Sequence, residues 1–492
     1  MGNTFLIQGL FVFLGLLIYY GYHRKTAVRN LPPGPRPLPL VGNINDLPPE
    51  GAPEYLHWLK HKDRFGLISS ISVFGQTVVI LHDRKAAHQL LEKTAKRTSA
   101  RPIMQFALQL CGFNRFLPAK QFDDSYRWQR RLIHQQLGSK SAVEKNDPLV
   151  NLINRMMYNF SQAFTSMTWL VDVIPMIINL PGILPGMGFK KTAKRYDRIN
   201  QAVSDIPYSF ACNQMKTPNP RPSYVARLLQ ESKSTDKPRT QKEMSDTEEA
   251  IKYSAAILFG GGADTTSSNL SSFLLAMTLF PDVQRRAQQE IDSVTGSSNR
   301  LPRFEDRHKM PYMEGVIKES LRWLPVTPLG TAHRLTEDTI YGDYFLPKET
   351  HIIPAIWWFT HDPEVYQDPD RFDPERYLSR NEPDPRSVVF GFGRRRCPGL
   401  HFADSNLFSI ITQLLAVFSI RKAVDEKGVE IEGKLKATPG LIAHPVTFPY
   451  RIIPRDADKV RLLEKMEASH PWEKSDATFV AEEIASWRLE EH

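Results

Sequence analysis

Cysteine is scarce: Cys111, Cys212 and Cys397 are the only three in 492 residues, odd in number and far apart. That excludes a disulfide framework and suits a reducing compartment. No CxxC or CxxC…HxxxH spacing occurs, which argues against structural zinc. No GxGxxG follows a strand-like run, so the chain shows no nicotinamide or flavin site of that kind. Basic clusters are not interleaved with stacking aromatics, which argues against nucleic acid despite a net charge of +9. Charge is absent altogether from Thr4 to Tyr22, "TFLIQGLFVFLGLLIYYGY". As a helix this run spans about 28 Å, the thickness of a bilayer's hydrocarbon. His23, Arg24 and Lys25 follow it, which places the body on the cytosolic side of a single-pass anchor. A cleaved signal peptide fits less well, because the basic leader is missing and the exit is bulky Tyr-Tyr-Gly-Tyr.

What is present reads as mainly α with a small β region. Residues 1–25 are expected to form the transmembrane anchor and 26–45 a proline-rich hinge, through "LPPGPRPLPLVGN". Residues 46–455 form the body and 456–492 an acidic tail, with ten acids against five bases and no assignable chemistry. Within the body, residues 67–81 alternate and break at Gly75, as a hairpin does. A basic helix is expected from Tyr126 to Leu137. Ser245 and Glu248 read as a capping box opening a long apolar helix that Pro281 ends. A shorter helix covers Tyr312–Trp323, strands fall near Thr339–Leu346 and His351–Ile356, and helix resumes after Pro398.

Four features carry chemistry. "FGFGRRRCPG" sets Cys397 among arginines and before Pro-Gly; neighbouring cations favour thiolate, as a nucleophile or a metal ligand. "KESLR" puts Glu319 and Arg322 on one helix face, and "FDPERY" supplies Arg376. "GGADTT", Gly261–Thr266, interrupts the long apolar helix. Three glycines in a row cost a helix about 0.8–1 kcal/mol each against alanine, which points to something bulky lying on its backbone. Singly, each has a plainer reading. An exposed Glu–Arg pair contributes a few tenths of a kcal/mol, a lone cysteine is usually a small buried apolar group, and Thr265 can bond its own helix carbonyl.

In this order, FxxGxRxCxG, ExxR, the later arginine and the Gly-Gly-Ala-Asp-Thr run resemble the cytochrome P450 family of haem-thiolate monooxygenases over about residues 30–455. Stretches such as "AIWWFTHDPEVYQDPDRFDPERYL" are similar to membrane-anchored fungal members of secondary metabolism. The resemblance implies haem b, with Cys397 as the axial thiolate ligand of its iron and Phe390, Gly393 and Gly399 shaping the loop. It implies Arg395, Arg130 and Arg334 at the haem propionates, with Tyr126 standing where the family has tryptophan. Glu319, Arg322 and Arg376 would form a buried network supporting the cysteine loop. Asp264 and Thr265 would manage protons during oxygen activation. Substrate contacts would come from Phe259, Ala263, Val326, Leu329 and Leu441, which are apolar and imply a hydrophobic small molecule. Electrons would come from NADPH through a separate reductase, with a cytochrome b-type donor as a further partner, at the endoplasmic reticulum membrane.

The sequence departs from that pattern after residue 140. Only twelve residues separate His134 from Asp147, where the family places about two more helices, so about two helices are expected to be missing. Two other readings stand beside the monooxygenase. One is a truncated, haem-poor membrane protein from a defective gene model. The other is a haem-thiolate peroxide isomerase or dehydratase, against which the Asp264–Thr265 pair argues.

Overall fold

The computed structural model describes residues 15, 30–134, 147–165, 168–234, 240–296, 300–469 and 476–489. The expected anchor, apart from Gly15, and the segment in which helices are expected to be missing lie outside the described residues. The chain divides into two compact units. One comprises Met1–Pro102, Leu329–Phe359 and Phe392–Arg395; the other comprises Ile103–Pro328, Thr360–Gly391 and Arg396–His492.

The first unit is built on a four-stranded sheet. Strands β1 (Ile68–Val73) and β2 (Gln76–Leu81) form the expected hairpin. Its two-residue turn has Phe74 and Gly75 both at positive φ, which matches the twist of paired strands. Strand β2 pairs in parallel with β6 (His351–Pro354), and β6 pairs antiparallel with the short β3 (His333–Arg334). Val79, Ile80 and Leu81 are fully buried because β2 is central and covered on both faces. A second hairpin joins β4 (Thr339–Tyr341) to β5 (Tyr344–Leu346), and helix α1 (Glu54–Phe65) buries Trp58.

The proline-rich stretch is not a free linker over its described part. Ser70 donates to the carbonyls of Pro33 and Pro32, at 2.9 and 2.5 Å, and Asn43 exchanges bonds with the Ser72 backbone. Prolines carry no N–H, but their carbonyls can dock beside a strand edge, and here they do.

The second unit is helical. Helices α2 (Asp124–His134), α3 (Pro148–Ala163), α4 (Phe189–Gln214), α5 (Tyr224–Lys233) and α6 (Gln241–Leu279) are followed by α7 (Pro281–Thr295) and α8 (Pro311–Trp323). The 39-residue α6 is continuous, so the glycine run does not interrupt it. Its capping box is Thr240 with Glu243, not Ser245 with Glu248; the earlier pair satisfies the first free amides, and Ser245 falls inside the helix. The first half of α6 joins α3 and α4 in one apolar cluster, around Ile153, Met156, Val203 and Tyr253. The second half joins α7, α8 and α9 (Leu400–Val417) in another, around Phe273, Ile317 and Ile411. Among the described residues α9 is the one helix long and apolar enough to cross a membrane. Its buried Leu407, Phe408, Ile411 and Leu415 make it a core helix of this unit.

Strands β7 (Phe418–Lys422) and β8 (Tyr450–Pro454) close the unit, followed by α10 (Ala457–Ser469) and α11 (Ala477–Ser486). The acidic tail therefore forms two helices. Val480, Ile484 and Trp487 pack on the first apolar cluster, and Arg198 donates to the Trp487 carbonyl at 2.6 Å.

Candidate functional site

Of the three cysteines only Cys397 is exposed. It sits in a closed loop: its amide donates to the Phe390 carbonyl at 2.8 Å, and Gly391 takes a positive φ of 76° that favours glycine. Two residues on, Gly399 precedes α9, so the sulfur lies at the start of an 18-residue helix, where negative charge is favoured. Surrounding protein raises the thiol pKa by desolvation, while the Gly399 N–H and the Arg130 charge pull it down. Desolvation outweighs them, so the thiol lies above its ordinary value, with the Gly399 N–H and Arg130 as the groups that favour its anion. Cys111, by contrast, is fully buried and its thiol is pushed far up by desolvation.

Helix α2 supplies Arg130. Tyr126, one turn earlier, is buried and accepts a bond from the Arg130 guanidinium at 3.2 Å, so the hydroxyl holds the arginine. Trp128 is half-buried, two positions along.

In the first unit, Gly393 is required by close packing. Its φ is 49°, and a Cβ there would stand 2.7 Å from the Leu91 carbonyl. Arg395 is buried and donates to the Ser99 carbonyl at 2.7 Å. Arg334 donates to the Arg101 carbonyl at 2.9 Å and pairs with Glu349 at 2.6 Å. Leu329 is half-buried in the same unit.

The α6 glycines differ from one another. A Cβ on Gly260 would meet Met156 Cε at 2.7 Å, whereas at Gly261 or Gly262 it would meet nothing within 4 Å. Only Gly260 is explained by packing within the chain; a Cβ at either of the next two would meet open space. Thr265 donates to the Gly261 carbonyl at 2.6 Å, the plainer of its two expected arrangements. Asp264 is oriented differently: its Oδ1 lies 3.3 Å from His444 Nε2.

Glu319, Arg322 and Arg376 meet and are all fully buried. Glu319 accepts from Arg322 Nε and Nη2 at 2.8 and 2.7 Å, from Arg376 Nε at 3.1 Å, and from the Asp373 amide at 2.9 Å. The Tyr377 hydroxyl adds a bond at 2.9 Å. Burial, then Glu319, raises the Tyr377 pKa well above its ordinary value, which keeps it a donor. Arg322 also reaches the Thr360 and Arg371 carbonyls, pinning the irregular chain that carries Arg376.

Phe259, Val326 and Leu441 are half-buried against the first apolar cluster, and Ala263 is half-buried on α6. The Ala443 amide donates to the Val326 carbonyl at 2.8 Å, which brings the Val326 and Leu441 stretches together. Sequence reasoning missed Tyr377 and His444. Tyr377 directly follows the arginine already singled out, and His444 is the one titratable residue in the apolar "PGLIAHP" run; both were visible as oddities, neither as contacts.

A sequence model of the cytochrome P450 family matches residues 32–169 and 156–446. The chain is 41% identical to "Cytochrome P450 monooxygenase CLM2" of Gibberella zeae, covering 96% of this chain and 98% of that one. It is 41% identical to "Multifunctional cytochrome P450 monooxygenase af510" of Aspergillus fumigatus, covering 95% and 96%. It is 32% identical to "O-methylsterigmatocystin oxidoreductase" of Aspergillus flavus, covering 92% and 93%. With an exposed cysteine at the start of α9 and a buried ExxR network beside these matches, the chain belongs to the cytochrome P450 family and is an oxidoreductase of its monooxygenase kind.

Proposed function

We propose that this chain is a haem-thiolate monooxygenase that inserts one oxygen atom of O2 into a hydrophobic secondary metabolite, with electrons from NADPH passed through a separate reductase. The observation that carries this reading is Cys397, the single exposed cysteine, with the Gly399 N–H on its sulfur and α9 beginning just beyond. Haem b suits the residues present: one thiolate donor, and open space beside Gly261 and Gly262. Bound there, the group supplies the oxygen-activating chemistry that a thiolate ligand favours.

The chain's own residues then have distinct tasks. Cys397 would ligate the iron as thiolate, the Gly399 amide would hydrogen-bond the sulfur, and Phe390 would cover it. Arg130, Arg334 and Arg395 take the propionates through charge-assisted bonds, with Tyr126 steadying Arg130. Glu319, Arg322 and Arg376 brace the chain before the cysteine loop. Asp264 and Thr265 move protons, Thr265 by giving up its bond to the Gly261 carbonyl. Phe259, Ala263, Val326, Leu329 and Leu441 contact the substrate. Arg130, Arg131 and Arg394 would each supply positive charge to an acidic reductase or a cytochrome b-type donor. Thr4–Tyr22 anchors the protein in the endoplasmic reticulum membrane, with the body in the cytosol.

A second reading has its own support. The alignment to the Gibberella protein runs over 524 positions, more than the 492 residues of this chain, so segments there have no counterpart here. The family match is also split, its two stretches overlapping at 156–169. We take the unmatched segments as a loss of about two helices near residues 135–146, which would give a haem-poor product. One experiment separates the readings: the carbon monoxide difference spectrum of the dithionite-reduced protein in membranes. A strongly red-shifted Soret band, lost in Cys397→Ala, supports the monooxygenase. No band from this chain, but a band once the corresponding segment of the Gibberella protein is restored, supports the defective product.

A further inference from the structure

Asp264 has a partner that does not come from its own helix. His444 lies in the loop after Gly440, and its Nε2 stands 3.3 Å from Asp264 Oδ1. That loop is fastened on every side. Ser268, one turn beyond Asp264 on α6, donates to the Ala443 carbonyl at 2.6 Å in a buried bond. The Ala443 amide donates to Val326, and the Ile442 amide to the Ser161 hydroxyl of α3 at 3.1 Å. Thr438 and His444 exchange two bonds, at 3.0 and 2.8 Å. Gly440 has a φ of 106°, and a Cβ there would stand 2.5 Å from Ser161 Oγ, so the loop's entry needs glycine. So many anchors on neighbouring backbone fix where the imidazole can be.

The pair is also graded in exposure. The Asp264 side chain is 13% exposed and that of His444 34%, so the carboxylate is screened while the imidazole still meets solvent. Histidine is the side chain that takes up and releases a proton near neutral pH. The geometry points to His444 as a positioning residue for Asp264: its Nε2–H holds the carboxylate, and it replaces each proton that Asp264 gives up. The step balances. A solvent hydronium protonates Nδ1 to give imidazolium, Nε2 then passes its proton to the Oδ1 carboxylate, the neutral ring exchanges back to the Nε2–H form with solvent, and no electrons move. This inference rests on the monooxygenase reading, in which Asp264 supplies protons.

The test uses the full chain and two replacements. His444→Gln keeps an N–H donor but cannot exchange a proton, whereas His444→Phe removes both. Urea midpoints of Asp264→Asn, His444→Phe and the double variant report the contact without any cofactor chemistry. Non-additive midpoints are expected, with the double variant no weaker than the worse single one; additive midpoints overturn the contact. NADPH consumption with reductase and O2, no substrate added, is expected to fall about tenfold in both His444 variants while the carbon monoxide band stays. Unchanged consumption in both overturns the proton supply, and a fall in His444→Phe alone would mean that holding, not exchange, is the role. A wild-type chain without the band refutes the haem reading and the proton supply with it, and the urea cycle still decides the contact.

Discussion

In the sheet unit, His61, His82 and His333 are buried and His351 is half-buried, and burial lowers the pKa of each: to about 4 for His61, His82 and His351, and to about 3 for His333. In the helical unit a fully buried ionic cluster joins Glu319 with Arg322 and Arg376, where anion and cations meet. The first unit's buried histidines can lose their charge, and its buried Arg101 and Arg395 donate to backbone carbonyls; the second unit's Glu319, Arg322 and Arg376 are charges held against one another. A neutral imidazole tolerates a low dielectric, whereas an arginine cannot shed its proton and needs acceptors, best of all a carboxylate. The two interiors should fail in different ways, one to acid and the other to loss of a partner.

The largest expected effect breaks the second pattern. Glu319→Gln takes away the anion and turns one acceptor oxygen into an NH2 group that faces existing donors. Arg322 is left without a carboxylate and Arg376 with Glu382 alone, at 3.0 Å, which should cost about 3–5 kcal/mol, read as a lower urea midpoint at pH 7.5. Hydrogen exchange should localise the loss to α8 and the Thr360–Tyr377 stretch and leave β1, β2 and β6 protected.

A smaller effect tests an exception within the helical unit. Asp172 is half-buried and accepts the Phe106 amide at 2.7 Å, while its Oδ2 is buried with no partner. Desolvation raises its pKa to about 7, against the opposing Phe106 and Gln105 amides. A carboxyl raised in the folded state favours folding while protonated, so its cost is absent below about pH 4 and grows as pH rises toward 7. Asp172→Asn cannot ionise. Its thermal midpoint should match wild type near pH 4 and exceed it at pH 8. Equal midpoints at pH 8 would show that Oδ2 is solvated.

How much of this was legible follows the same physics. Patterns confined to a short stretch read well: the Ile68–Leu81 hairpin, the end of α6 before Pro281, and Glu319 with Arg322 one turn apart. The capping box was misplaced because "SDTEE" and "TQKE" both satisfy the local pattern, and only the fold shows that the helix already begins at Thr240. The three glycines read as one feature, yet Gly260 answers to Met156 and its two neighbours to open space, a difference that depends on residues a hundred positions away. His444 was invisible as a partner for the same reason, being 180 residues from Asp264. The proline-rich stretch read as a spacer because nothing in it announces that Ser70 and Ser72 will hold its carbonyls and Asn43.

In the sheet unit His82 is the most exacting case. Both of its ring nitrogens are buried without a hydrogen-bond partner, so the imidazole contributes shape and little else. A histidine whose pKa is lowered by folding leaves stability intact above about pH 6.5, and that stability drains away as pH falls toward 4, because protonation favours the unfolded chain. For a shift to about 4, the loss between pH 7.5 and pH 5 amounts to about 2 kcal/mol from this one group. His82→Leu fills similar space and has nothing to protonate. At pH 7.5 its urea midpoint should lie near wild type, since an unpartnered polar group is replaced by an apolar one. At pH 5 it should exceed wild type, and exchange of the β2 and β6 amides should slow relative to the parent. If both midpoints fall together across the acid range, His82 is not the sensor, and the remaining buried histidines of the same unit must carry the acid response.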